Sequence, residues 1–139
     1  MTNVLHLLRK LFVRRQQQRF LVKNGTFVVI VTPGIMGQEE QRKVHMIDIS
    51  MGGAAFIYQG SSKDIDNTGF LRISPDSLET SESSTYEKVH FETVSDIPVP
   101  VCSDGEVTAR RRGVRFTWMG ALGEAFLKDF IRAKGICRL

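Results

Sequence analysis

Three arginines near the start of the chain carry the side chains best suited to binding an anionic ligand. Arg15 and Arg19 are four residues apart, and Arg14 stands directly before Arg15. Four-residue spacing places two side chains on one side of a helical turn, and the same pair can wrap around a ligand from a loop. A guanidinium makes bidentate contacts with phosphate and stacks on flat rings. The pattern indicates a site for phosphate groups and purine faces; the alternative is a solvated basic linker.

A second group of polar residues, Asp48, Ser50 and Gly53, lies at the end of a predicted strand. Strand alternation puts Ile47 and Ile49 on one face, toward the core, and Asp48 and Ser50 on the other. An outward carboxylate can accept both N–H donors on the Watson–Crick edge of guanine. The alternative is structural, since Asp and Ser side chains also cap the turn of a hairpin.

Several short strands and one helix must position these residues. An amphipathic helix is predicted over residues 1–13, where Val4, Leu7, Leu8 and Leu11 share one face. A second helix is predicted over Leu122–Lys134, with Gly135 as its C-terminal stop. The predicted strands are Thr26–Val31, Lys43–Ile49, Ala54–Tyr58, Phe70–Ile73, Lys88–Val94 and Val107–Trp118. This order favours a small antiparallel barrel closed by the terminal helix.

Taken together, the arginines and the strand-end residues resemble the sequence signature of the PilZ domain family, which are bacterial receptors for cyclic di-GMP. That family has R-x-x-x-R in an N-terminal arm, followed by [D/N]-x-S-x-x-G on a barrel strand. Both parts are intact here, as Arg15-x-x-x-Arg19 and Asp48-x-Ser50-x-x-Gly53.

The resemblance continues beyond these two motifs. The segment Gly113-Val114-Arg115-Phe116 is similar to the family's late strand, so the similarity covers about residues 14–133. It implies a mostly β fold, a six-stranded antiparallel PilZ-type barrel with a C-terminal helix and here also a short N-terminal helix. The expected divisions are an amphipathic helix over 1–13 and one domain over 14–139, with an arginine arm at 14–23, a barrel at about 24–118 and a closing helix at about 120–134.

The resemblance also implies a role for each motif residue. Arg15 and Arg19 would contact the phosphates and guanine faces of cyclic di-GMP. Asp48 and Ser50 would read the guanine edges, and Gly53 would permit the turn and a close approach of the ligand.

Arg14 and the arginines near residue 110 are given roles that differ from those of Arg15 and Arg19. In the family that this chain resembles, an arginine at the position of Arg14 accompanies a self-intercalated pair of ligands, so two cyclic di-GMP molecules per chain are expected. The cluster at residues 110–112, together with Arg115, is interpreted as charge on a strand surface rather than as ligand contacts.

Composition excludes several other classes of protein. The net charge of +4 arises in the first 38 residues, which hold six basic residues and no acid, so the basic surface is confined to one arm. No apolar run is long enough for a transmembrane segment, and no signal peptide is recognised. Cys102 and Cys137 are interpreted as reduced thiols, which indicates a cytoplasmic protein. The three histidines form no metal-ligand motif, and no catalytic constellation is found.

The predicted function is therefore a non-enzymatic receptor that relays the level of cyclic di-GMP when its arginine arm becomes ordered, without a metal or other cofactor. A downstream protein partner is expected, and a nucleic-acid partner is not. Two alternatives remain open. One is a PilZ-like protein-interaction module that binds no nucleotide, and the other is a small barrel that binds single-stranded nucleic acid through its basic arm.

Overall fold

The computed structural model describes residues 18–34, 37–73, 86–100 and 109–138 of the chain. The predicted N-terminal helix, Arg14, Arg15 and Cys102 lie outside the described residues. Arg19 is within them, directly before the first strand.

Eight strands and one α-helix make up the described fold. The strands are β1 (Phe20–Val22), β2 (Phe27–Thr32), β3 (Glu40–Ile49), β4 (Gly53–Gln59), β5 (Thr68–Ile73), β6 (Glu87–Pro98), β7 (Ala109–Trp118) and β8 (Gly135–Arg138). The helix, α1, is Ala121–Lys134. A single 3-10 turn, Ser62–Asp64, lies between β4 and β5.

Six of the strands close into an antiparallel barrel. Their order is β2-β5-β6-β7-β4-β3, and β2 also pairs with β3, which closes the ring. Every pairing is antiparallel. The predicted six-stranded barrel with a C-terminal helix is therefore confirmed.

Alternate residues along the strands fill the interior of the barrel. Ile30, Met46, Phe56 and Phe91 are at most 1% exposed and belong to one hydrophobic cluster. Each large apolar side chain buried in this way contributes about 1.5–3 kcal/mol relative to its exposed state. The alternating pattern of β-branched and aromatic residues thus determines both the strands and the core.

Helix α1 packs on the barrel through Leu127, Phe130 and Ile131, which belong to the same core cluster. They recur at three- and four-residue spacing, so they form one apolar face. Within the described part of the chain, no helix combines the length and apolar character needed to cross a bilayer.

The end of β3 differs from simple strand alternation. A β-bulge between Met46 and Asp48 inserts Ile47 as an extra residue opposite β4. Val44 and Met46 face the core before the bulge, and Ile49 does so after it. The prediction that Ile47 shares the core face with Ile49 is therefore wrong, because the bulge shifts the alternation by one residue; Ile47 is only half-buried.

Two short strands extend the sheet beyond the barrel. β1 pairs with the end of β3, where Leu21 lies opposite Asp48. β8 then pairs with β1 and follows α1 without a break. Gly135 does end the helix, as predicted, but its backbone is extended and begins β8. Cys137 of β8 is an exposed free thiol.

Candidate functional site

Asp48 lies on the outer surface of the barrel, in a row of small residues. Its partner across β4 is Ala55, which in turn pairs with Gly113 of β7. The neighbouring row, Ile49, Ala54 and Val114, belongs to the core cluster. Adjacent rows point to opposite sides of a sheet, so the Asp48 row faces outward. Neither Ala55 nor Gly113 has side-chain atoms beyond Cβ, and Ala55 is fully buried beside the carboxylate.

The Asp48 carboxylate is held between two arginines. Arg19 Nη2 lies 3.4 Å from Oδ1, and Arg111 Nη2 lies 3.0 Å from Oδ2. The Asp48 side chain is 7% exposed, whereas those of Arg19 and Arg111 are 56% and 35% exposed. An outward-facing carboxylate is thus shielded by two partly solvated guanidinium groups. These groups are also available to contact an anionic ligand.

Ser50 has a structural role in the turn between β3 and β4. Its Oγ accepts hydrogen bonds from the backbone N–H groups of Gly52, at 3.1 Å, and Gly53, at 3.2 Å. The backbone N–H of Ser50 donates to the carbonyl of Gly53 at 2.8 Å. The hydroxyl therefore stabilises the connection that follows Asp48, which is the structural alternative considered for this motif.

Glycine is required at position 53 because the backbones of β4 and β7 lie very close together there. A Cβ at this position would lie 2.4 Å from the carbonyl oxygen of Val114 on β7. A positive φ is not the reason, since positive values among the described glycines occur at Gly25, Gly34, Gly37 and Gly60. Any larger residue would push β4 away from β7 beside the Asp48 row.

The arginine cluster on β7 is divided between two faces of the strand. Arg112 is 1% exposed and lies inside the barrel, so its interpretation as a strand-surface charge is wrong. Arg111 points outward to Asp48. The sequence carries a signal for this division, because Val114 and Phe116 are apolar at alternate positions and Arg112 continues their inward series. Sequence analysis missed Arg111 as a partner of Asp48 because it treated the three arginines as one exposed cluster.

A buried polar network surrounds Arg112. Its Nε donates to Asp96 Oδ2 at 2.7 Å, and Arg110 Nε and Tyr58 Oη also donate to this carboxylate. Burial alone would raise the pKa of Asp96, but hydrogen bonds from Tyr58 and both arginines lower it below the usual range. Burial and the Asp96 hydrogen bond raise the pKa of Tyr58. Asp96 is therefore ionised at neutral pH.

Arg112 also holds the connection between β4 and β5. Its Nη1 donates to the carbonyls of Ile65, at 3.1 Å, and Asp66, at 2.9 Å, and its Nη2 donates to that of Ser62 at 2.8 Å. The residue is a structural centre inside the barrel rather than part of the outer site.

Of the predicted site residues, the structure brings Arg19 and Asp48 into contact, and Ser50 and Gly53 form the adjoining turn. Across the described ranges, no three His, Cys, Asp or Glu residues are arranged to hold a metal ion.

A family model described as "PilZ domain" matches residues 13–132. None of the curated proteins has significant sequence similarity to the chain.

Solved structures with similar folds include the PilZ domain of YcgR from Escherichia coli with c-di-GMP. The TM-score is 0.61 with 15% identity, over 86% of this chain and 90% of that one. The K. pneumonia MrkH–c-di-GMP complex gives a TM-score of 0.59 with 13% identity, over 86% of this chain and 51% of that one. PlzA of Borreliella burgdorferi in complex with c-di-GMP gives 0.58 with 11% identity, over 92% and 55%. The chain thus spans about half the length of the last two.

Proposed function

Because this chain belongs to the PilZ domain family, we propose that it is a receptor for cyclic di-GMP that catalyses no reaction. The observation that carries the proposal is the Asp48 carboxylate on the outer barrel surface with a guanidinium on each oxygen. The YcgR domain, MrkH and PlzA, each solved with c-di-GMP, support the choice of ligand. A receptor for this second messenger would act in the cytoplasm.

In the proposed complex, Asp48 accepts the N–H donors of a guanine edge. The Arg19–Asp48 contact is long, at 3.4 Å, and the Arg19 side chain is 56% exposed, so Arg19 can exchange this contact for a ligand phosphate at little cost. Arg111 lies nearer and is less exposed, and it keeps the carboxylate in place while Arg19 moves. Ser50 and Gly53 fix the turn beside the ligand, in addition to the direct contacts predicted for them.

Arg14 and Arg15 complete the site from the arm. Ordering five residues of arm costs roughly 5–10 kcal/mol of backbone entropy. Charge-assisted hydrogen bonds return about 1.5–3 kcal/mol each, and stacking on a base returns about 1–3 kcal/mol. Several arginine contacts are therefore needed for useful affinity, and ligand binding would order the arm and relay the signal to a downstream protein.

Calorimetric titration with cyclic di-GMP tests this function. We expect Arg19→Ala to weaken binding by about 10- to 100-fold, since one charge-assisted contact of roughly 1.5–3 kcal/mol is lost. Arg132→Ala is the matched control, because Arg132 is an exposed arginine on α1 whose carboxylate partner among the described residues is Asp129.

Three outcomes separate the candidate functions. Binding by the wild type and the control but not by Arg19→Ala supports the receptor. Absence of binding by the wild type would favour an interaction module without nucleotide. Tighter binding to an oligonucleotide than to cyclic di-GMP would favour a single-strand-binding barrel.

A further inference from the structure

Three cations form a row on the outside of the barrel, on strands β3, β5 and β6. Lys43 of β3 pairs with Val29 of β2, Val29 with Arg72 of β5, and Arg72 with Lys88 of β6. Residues in one cross-strand row share a face, so the three cations point outward together. The row crosses three gaps between strands, a distance of about 14 Å at ~4.8 Å per gap.

Each of these cations lies over the face of an aromatic ring. Lys43 Nζ is 4.8 Å from the ring centre of Phe27, and Lys88 Nζ is 4.8 Å from that of Phe70. The guanidinium carbon of Arg72 is 5.1 Å from the ring centre of Tyr86. We name this surface the basic–aromatic face; it consists of Lys43, Arg72, Lys88, Phe27, Phe70 and Tyr86.

The positive charge of the basic–aromatic face is not neutralised by its described neighbours. Counting only residues 18–34, 37–73, 86–100 and 109–138, none of its three cations has a carboxylate oxygen within 4.0 Å. In contrast, Arg110, Arg111, Arg112 and Arg115 of β7 all have carboxylate partners. The Nε of Arg72 is also buried without a hydrogen-bond acceptor. With respect to the described residues, the face therefore has unmet capacity to bind an anionic partner.

Exposed apolar groups border these cations. His90 pairs with Trp118 at 5.6 Å between ring centres and with Phe70 at 5.7 Å. Trp118 is 62% exposed, and so is Leu122, four residues further along the chain. Tryptophan, tyrosine and arginine are the residues that most often dominate the energy of protein–protein interfaces.

Two classes of anionic partner fit a basic and aromatic barrel surface. Single-stranded nucleic acid binds such a surface by stacking its bases on free ring faces. Here the faces of Phe27, Phe70 and Tyr86 are already covered by their own cations. The arrangement is better suited to carboxylates, which contact the cations without displacing them from the rings.

We propose that the basic–aromatic face and Trp118 bind an acidic segment of a protein partner that also carries apolar side chains. In an extended segment, three acidic residues at alternate positions span about 14 Å, which matches the row of cations. The apolar residues of the segment would pack on Trp118. The face lies mainly on β2, β5 and β6, apart from Asp48, so this interaction does not depend on cyclic di-GMP binding.

The single tryptophan of the chain makes the proposal directly measurable. The full chain is titrated at low salt with a synthetic peptide that carries three Glu residues at alternate positions and Leu residues at its ends, and Trp118 emission is recorded. We expect a blue shift as the peptide covers the exposed indole. The same peptide with Gln in place of Glu should bind at least about threefold more weakly, because exposed ion pairs contribute about 0.2–1 kcal/mol each.

Charge reversal locates the contact. Lys88→Glu and Lys43→Glu should each weaken binding of the Glu–Leu peptide about three- to tenfold. Lys128→Glu is the matched control, since Lys128 is an exposed lysine on α1, outside the face, and pairs with Glu124. Circular dichroism spectra that match the wild type establish that each variant is folded.

Three results would overturn the proposal. The first is a Trp118 emission spectrum that does not change with the peptide at any concentration. The second is weaker binding by Lys128→Glu to the same extent as by Lys88→Glu, which would indicate a general charge effect. Tighter, Lys88-dependent binding of oligothymidylate than of the peptide would identify the face as a nucleic-acid interface instead.

Discussion

Asp48 and Asp96 are both largely shielded acids held by arginines, but their partners place them in different roles. The arginines on Asp48 are partly solvated and contact one carboxylate oxygen each. Those on Asp96 include Arg112, whose side chain is 1% exposed inside the barrel. A partly solvated pair exchanges readily with a ligand, whereas a buried pair is costly to separate. Asp48 is accordingly the residue that we propose as a ligand contact, whereas Asp96 belongs to the structural network around Arg112.

Substitutions at Asp48 and Ile49 should separate binding from stability. Asp48→Ala removes the proposed acceptor of the guanine edge, so we expect cyclic di-GMP affinity to fall at least about tenfold while stability changes by no more than about 1 kcal/mol. Ile49→Ala creates a cavity in the core and should cost about 2–5 kcal/mol of unfolding free energy. Calorimetry and urea denaturation measure the two effects. Equal destabilisation by both variants would contradict the assignment of Asp48 to the outer face.

The lowered pKa of Asp96 predicts a pH-dependent contribution to stability. Its ionised form is favoured by folding, so the stabilisation is complete above the pKa of the unfolded state and is lost as the pH falls through the lower folded-state pKa. Asp96→Asn should destabilise the protein by about 1–3 kcal/mol at pH 7 and flatten the loss of stability below about pH 4. Urea denaturation at a series of pH values measures both effects.

Glu92→Gln provides the control for Asp96→Asn. Glu92 pairs with Arg115 on the surface of the same two strands, and both side chains are well exposed. Removing this pair should change the unfolding free energy by less than about 1 kcal/mol. A similar loss in the two variants would mean that the Asp96 network contributes no more than a surface ion pair.

Among the elements, we expect the arginine arm to determine how many ligand molecules bind. A stacked pair of cyclic di-GMP molecules presents more phosphate charge and guanine face than a single molecule, and Arg14 supplies a third guanidinium to meet it. We expect two ligands per chain, and one ligand after Arg14→Leu. Calorimetric stoichiometry measures this directly. One ligand per wild-type chain would refute the paired ligand and leave the receptor function intact.

Two features of the fold could not be predicted from the sequence: the short strands β1 and β8, and the bulge in β3. β1 and β8 have three and four residues, too few to show an alternation, and their pairing joins distant parts of the chain. The bulge at Ile47 could not be predicted either, because apolar residues stand on both sides of Asp48 and do not show which of them faces the core. The barrel strands, in contrast, carry clear β-branched and aromatic runs, such as Phe27 to Val31, and were predictable.

For the molecule as a whole, sequence motifs indicated the candidate site better than local patterns did. Arg19 and Asp48 are 29 residues apart in the chain, and only the two motifs considered together assigned them to one ligand site; their direct contact was not predicted. Arg111 was missed because a run of three arginines suggests uniform exposure, although its neighbours fix the alternation. The structural role of Ser50 was anticipated only as an alternative, since a hydroxyl suits a turn and a ligand equally.

Ligand binding should also change the segment that precedes the arginine arm. Residues 3–13 are predicted to present an apolar stripe directly before Arg14, so ordering of residues 14–19 would reorient or release that stripe. We expect cyclic di-GMP to change hydrogen exchange over residues 3–13 as well as 14–19. Increased protection of residues 14–19 with unchanged exchange over residues 3–13 would make the helix a structural cap rather than an output surface.

The pairing of β1 between β3 and β8 has a consequence for the synthesis of the protein. β1, which directly follows Arg19, is made before every strand of the barrel, but one of its two neighbours is Gly135–Arg138. Such a long-range pairing forms late, because the barrel strands and α1 must all be made before it closes. During synthesis the arginine motif therefore precedes the strand that anchors β1. A chain that lacks β8 should bind the proposed ligand more weakly than the finished protein.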